Sequence, residues 1–168
     1  MTTLAQPLSA PKPFGVPSGT LVGTSEVADL IADKFFAILR GSISSATGNQ
    51  RLAEPFHRLE EVFERCKMQN WDGEGASPIS PVAVAETQLL LLALPLKFPL
   101  PEIFPETNGA IALEWFRAPG YRYVATLSGN QTVEFAGLFG AGNEIYGELR
   151  FPMGIPRQMQ DHLAELYR

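Results

Sequence analysis

Two different spacings of apolar residues divide the chain. From Val27 to Leu92 the apolar positions recur every three or four residues, and from Ile111 to Phe151 they alternate with polar ones. The first spacing lines one face of a helix and the second one face of a strand. Helices are therefore expected at about 25–40, 52–68, 80–94 and 156–167, and strands at about 110–117, 121–128, 132–139 and 145–151.

Local signals support these boundaries. Thr24 or Ser25 can cap a helix through Val27, Leu30, Ile31, Phe35 and Ile38, with Glu26 and Asp29 early, Arg40 late and Gly41 as the stop. The second helix places Leu52, Phe56, Leu59, Phe63 and Cys66 on one face, and Pro55 is expected only within its first turn. Ser80 as N-cap and Pro81 at the first helical position open the third, whose stripe runs through Val82, Ala85, Leu89 and Leu92 up to Pro95. In the last helix Met159, Leu163 and Leu166 share a stripe behind Pro156. With Pro99, Pro101 and Pro105 close by, Glu102 to Phe104 can form at most a short edge strand.

The expected fold class is α+β, a four-stranded antiparallel meander packed against N-terminal helices and closed by a C-terminal helix. Requiring inward residues to face one another sets the register, because a one-residue slip turns a whole strand over. Trp115 then opposes Tyr123, Leu113 opposes Ala125, Val133 opposes Leu127, and Leu149 and Phe151 oppose Phe135 and Val133. On the outer face this sets Glu114, Val124, Ala136 and Glu148 in one row, and Ala112, Thr126, Glu134 and Arg150 in the next.

At 168 residues, 45% of them hydrophobic and 18% charged, the chain can bury one core. The prolines at 7, 11, 13 and 17 mark residues 1–23 as a flexible arm, leaving 24–168 as a single domain. A net charge of −5 works against direct nucleic-acid binding, which needs clustered cations. Cys66 is the only cysteine, so a reducing compartment is expected. The N-terminus lacks the basic region and apolar run of a secretory signal, and the apolar run Leu89–Leu96 is too short for a membrane span. A cytoplasmic location with no membrane partner follows as the expectation.

The residues offer little catalytic chemistry. His57 and Cys66 lie nine positions apart, about 900° around a helix and so on opposite sides, which excludes a local nucleophilic dyad. No HExxH, CxxC or phosphate-cradling glycine motif occurs, and His57 with Glu60 and Glu61 reads as a solvated helical face. Neither a metal nor another cofactor is expected. Glu114 and Glu148, three strands apart at about 4.8 Å each, stand too far from one another for a glycosidase-like acid/base pair.

The segment Asn70-Trp71-Asp72-Gly73-Glu74-Gly75-Ala76 is the most distinctive. Its glycines permit unusual backbone angles, Trp71 offers an anchor and Asp72 an acceptor. Together with IALEWF and VEFAGLFG, it resembles a group of small uncharacterised bacterial proteins with a W-D-G-x-G-A loop, over about residues 70–167. The resemblance implies a bacterial or phage origin and an α+β fold, with Trp71, Asp72 and Glu74 in the motif loop and Glu114 and Trp115 in its LEW strand.

Two functions fit these features. One is a non-enzymatic protein-interaction module, such as an antitoxin, immunity factor or inhibitor, that binds another protein through Trp71, Asp72, Glu74, Glu114, Glu148 and Arg150. The other is a small hydrolase in which Asp72 or Glu74 approaches Glu114.

Overall fold

The computed structural model describes residues 50–151 and 154–168. The expected arm at 1–23 and helix at 25–40 lie outside the described residues. Within them, helices α1 (Gln50–Cys66) and α2 (Pro81–Ala93) precede strands β1 (Glu102–Pro105), β2 (Ile111–Ala118), β3 (Tyr121–Leu127), β4 (Thr132–Phe139) and β5 (Glu144–Arg150), and α3 (Arg157–Leu166) follows. The strands form one antiparallel sheet in the order β1-β2-β3-β4-β5. The fold is α+β, but the sheet has five strands rather than four. The extra one is the proline-flanked segment at 102–105, which sits at the edge, where a missing N–H is tolerated.

All three helices share one apolar cluster with the inner face of the sheet. α1 lies against β1, α2 against β2 and β3, and α3 against β3 and β4. At the centre Trp115 and Tyr123 are cross-strand partners with ring centroids 6.1 Å apart, and Tyr123 stacks on Phe135 at 6.0 Å. Burying such a side chain contributes about 1.5–3 kcal/mol before conformational entropy is subtracted. His162 of α3 covers this cluster, 5.0 Å from the Phe135 ring, with Nδ1 3.5 Å from the Tyr123 hydroxyl. Burial pushes the imidazole below its ordinary pKa, against the pull of Glu165 and Asp161, and pushes the Tyr123 phenol up.

The β2–β3 and β3–β4 registers are those expected from the alternation. A bulge between Phe116 and Ala118 frees Arg117 from the ladder, and its Nη1 donates to the Leu166 carbonyl at the C-terminal end of α3, where a cation is favoured.

Three expectations are corrected. β5 is displaced by two residues: Leu149 opposes Val133 and Gly147 opposes Phe135. The turn closes early, with the Phe139 amide on the Asn143 carbonyl, and the Phe135 ring lies over Gly147, where a Cβ would come within 3.0 Å of it. An aromatic ring laid across a glycine of the neighbouring strand selects this register. Pro55 lies beyond the first turn of α1 as described, buried against the core, so the ring's packing is set against a missing helical N–H. Third, α2 buries the side opposite to the expected stripe. Ala83, Val84, Glu86, Thr87, Leu90 and Leu91 face the protein, while Val82, Leu89 and Leu92 are exposed.

Candidate functional site

The 69–77 loop is built around its own backbone. Asn70, at φ 63°, accepts the Gly73 amide on its carbonyl and the Gly75 amide on Oδ1 at 2.6 Å, while its own amide donates to the Ala76 carbonyl at 2.7 Å. Asp72 Oδ1 accepts from the amides of Glu74 at 2.9 Å and Ala76 at 3.0 Å. Trp71 packs on the core, and its Nε1 donates to the Ser77 carbonyl at 2.9 Å. Beyond the loop, Ser77 and Ser80 donate their amides to the carbonyls of Thr107 and Gly109, tying the entry to α2 onto the β1–β2 turn. Gly109, at φ +88°, lies so close to Pro78 that a Cβ there would stand 2.6 Å from its carbonyl oxygen. Trp71 and Asp72 thus hold the chain reversal between α1 and α2, and Glu74 is exposed beside them.

The Ala76 amide, and after it the Glu74 amide, holds the Asp72 carboxyl below its ordinary value. A carboxylate with a depressed folded-state pKa stabilises the protein above its unfolded value near 3.8, and that contribution is lost as pH falls through the folded value. Asp72→Asn is therefore expected to be less stable than wild type at pH 7, with the gap narrowing once pH drops below about 3.8. Urea unfolding of both proteins at pH 7 and pH 3 checks this; an equal gap at both pH values would contradict it.

Glu114, Glu148 and Arg150 lie on the other side of the sheet, away from the helices. Glu114 accepts from Arg122 Nε at 2.8 Å, and the Arg122 guanidinium sits over the Phe116 ring, 5.8 Å from its centroid. Asp72 is thus engaged within its own loop, and Glu114 with Arg122 of the neighbouring strand β3. The β5 register changes the rows expected here. Tyr146, not Glu148, continues the row Glu102, Glu114, Val124, Ala136. Glu148 opposes Glu134, and Arg150 opposes Thr132 instead of Glu134.

The result is an open outer face with apolar side chains among acidic ones. Tyr146 is 87% exposed and Phe116 53%, and Phe104 and Leu138 are also exposed. By the alternation of the strands this face carries Glu102, Glu114, Glu134, Glu144 and Glu148 against Arg122 and Arg150. Two adjoining shallow depressions of about 490 and 290 Å³ meet at Val124, Ala136 and Tyr146; the larger is rimmed by Glu134 and Glu148, the smaller by Arg122 and Glu144.

The row expected from the sequence already placed Val124 beside Ala136, but it put Glu148 rather than Tyr146 next to them. Among the described residues no three His, Cys, Asp or Glu side chains gather into a cluster suited to a metal ion, and no helix is long and apolar enough to cross a membrane. Compared with family models, curated proteins and solved structures, the chain matches none of them.

Proposed function

We propose that this chain is a non-enzymatic protein-interaction module that covers a surface of its partner, in the manner of an antitoxin, immunity factor or inhibitor, and that the outer face of the sheet is its contact surface. The supporting observation is the exposed Tyr146 on a floor of small residues within a predominantly acidic rim. Exposed aromatic side chains grouped on one face are characteristic of recognition surfaces, and tyrosine is among the residues that dominate binding energy. The acidic rim favours a partner that presents Lys or Arg around an apolar centre. Glu114, Glu148 and Arg150 belong to the rim in this proposal, while Trp71 and Asp72 hold the chain reversal between α1 and α2, with Glu74 exposed beside them. A bacterial or phage origin, which the motif resemblance implies, accords with such a role.

The test is affinity capture from a lysate of the encoding organism, followed by titration of the captured partner against Tyr146→Ala and Phe116→Ala chains that retain the wild-type circular dichroism. A stoichiometric partner is expected, with binding weakened about 30-fold or more by Tyr146→Ala and falling as salt rises. Wild-type affinity in both variants would remove the outer face from the interaction. Failure to capture any partner with folded protein would count against the module itself.

A further inference from the structure

The two edges of the sheet are built differently. Along an antiparallel ladder, successive residues turn their backbone groups alternately toward the neighbouring strand and away from it. At β1 the Glu106 amide donates to the Ala110 carbonyl, so residues 101, 103 and 105 face outward, and two of them, Pro101 and Pro105, have no N–H to offer. That edge is blunted against a further strand. At β5 the Phe139 amide donates to the Asn143 carbonyl and the Phe151 amide to the Gln131 carbonyl. This turns Ile145, Gly147 and Leu149 toward β4 and leaves Glu144, Tyr146, Glu148 and Arg150 facing outward. None of these four is a proline, and the register with β4 runs through all seven residues without a bulge. Their outward N–H and C=O groups have no partner among the described residues. On the inner face Ile145 and Leu149 pack against the core yet are only partly buried.

We propose that this edge is an interface with a second copy of the chain, β5 pairing antiparallel with β5 about a two-fold axis at Gly147. The strand, Glu-Ile-Tyr-Gly-Glu-Leu-Arg, is complementary to itself in that register. Glu144 of one copy stands opposite Arg150 of the other, Ile145 opposite Leu149 and Tyr146 opposite Glu148, with Gly147 facing Gly147 on the axis. The outward residues then meet one another as hydrogen-bonded pairs, as a ladder requires, and the symmetry supplies each of these pairs twice. The aliphatic pair of Ile145 and Leu149 completes on the inner face the burial that one copy leaves partial. Moving the axis to either neighbouring outward residue fails on charge. An axis at Tyr146 sets Glu144 against Glu148, and an axis at Glu148 sets that carboxylate against its own equivalent. The axis at Gly147 engages the whole strand and closes both ends with opposite charges. Pairing also sets the outer faces of two copies side by side, so the inference extends the contact surface proposed above without resting on it.

A single strand pair is at the small end of specific interfaces, so the expected dissociation constant is about 10–100 µM. Sedimentation equilibrium of the full-length chain from about 5 to about 500 µM should show monomer passing to dimer. Glu144→Arg and Arg150→Glu each put like charges at both ends of the ladder and should weaken the dimer at least about tenfold, while the chain carrying both substitutions should recover wild-type affinity within about threefold. Amide exchange of wild type at the two ends of the concentration range reads the edge itself and needs no variant. The Tyr146 and Glu148 amides should slow as concentration rises, while those of Ile145, Gly147 and Leu149 are protected throughout. A monomer over the whole range would overturn the proposal, as would a dimer that the single substitutions leave intact or that the double substitution fails to restore. So would protected Tyr146 and Glu148 amides at a concentration where sedimentation finds monomer, since another segment of the same chain would then occupy the edge.

Discussion

Trp115→Ala is expected to destabilise the protein by about 3–5 kcal/mol, the upper range for truncating a core aromatic. Trp115 is 1% exposed, its ring packs against Tyr123, and its Nε1 donates to the Pro99 carbonyl at 3.0 Å. The substitution leaves a cavity at the centre of the sheet and removes the donor that holds the proline-rich crossing between α2 and β1. In a chain of this size the loss corresponds to a melting temperature lower by roughly 10 °C. Trp115→Phe separates the two contributions, because it keeps most of the apolar volume but cannot donate; it should lie between wild type and alanine. Urea unfolding followed by circular dichroism measures all three. A loss below about 1 kcal/mol for alanine would show that the neighbours collapse into the space and that Trp115 does not organise the core.

Trp115 also marks what could be read in advance. Its opposition to Tyr123 followed from two alternating segments and a glycine-containing turn, and β2, β3 and β4 lie in the register that this reasoning requires. β5 departs from the expected register for a definite reason. Alternation distinguishes the two faces of a strand but is blind to a slip of two, which restores every side chain to its own face. What selects the actual pairing is the Phe135 ring over Gly147, a contact between strands that no local pattern records. That slip exchanged Glu148 for Tyr146 in the central outer row and so hid the most exposed aromatic side chain of the candidate surface.

The α2 face was illegible for another reason: with Leu, Val or Ala at nine of its 13 positions, more than one stripe satisfies a helical spacing. The W-D-G-x-G-A loop was legible as a turn. Its inner bonds connect residues two to six apart, so glycine, asparagine and aspartate at those positions already report much of its geometry.

Glu86 lies on the buried side of α2, and its replacement is expected to be the second costly change. It is 6% exposed, and each carboxylate oxygen takes one backbone amide from the β3–β4 turn: Oε2 from Gly129 at 3.0 Å and Oε1 from Gln131 at 2.6 Å. Both turn residues have positive φ, Gly129 at 84° and Gln131 at 62°, the second in a non-glycine residue for which that conformation is unfavourable. The carboxylate therefore does two things: it satisfies two amides and holds a turn that the chain would otherwise relax. Glu86→Ala removes both acceptors and is expected to cost about 2–4 kcal/mol, since hydrogen bonds to charged groups are worth about 1.5–3 kcal/mol each and water recovers part of the loss. Glu86→Gln keeps one acceptor but points an amide N–H₂ at the other donor, so it should fall between alanine and wild type. Hydrogen exchange distinguishes this from a general loss of stability. The Gly129 and Gln131 amides should exchange faster in both variants by more than the change in global stability accounts for, while β2 amides follow the global change alone. If Gly129 and Gln131 instead track β2, Glu86 contributes only as part of the buried surface, and the orientation of α2 rests on Ala83, Leu90 and Leu91.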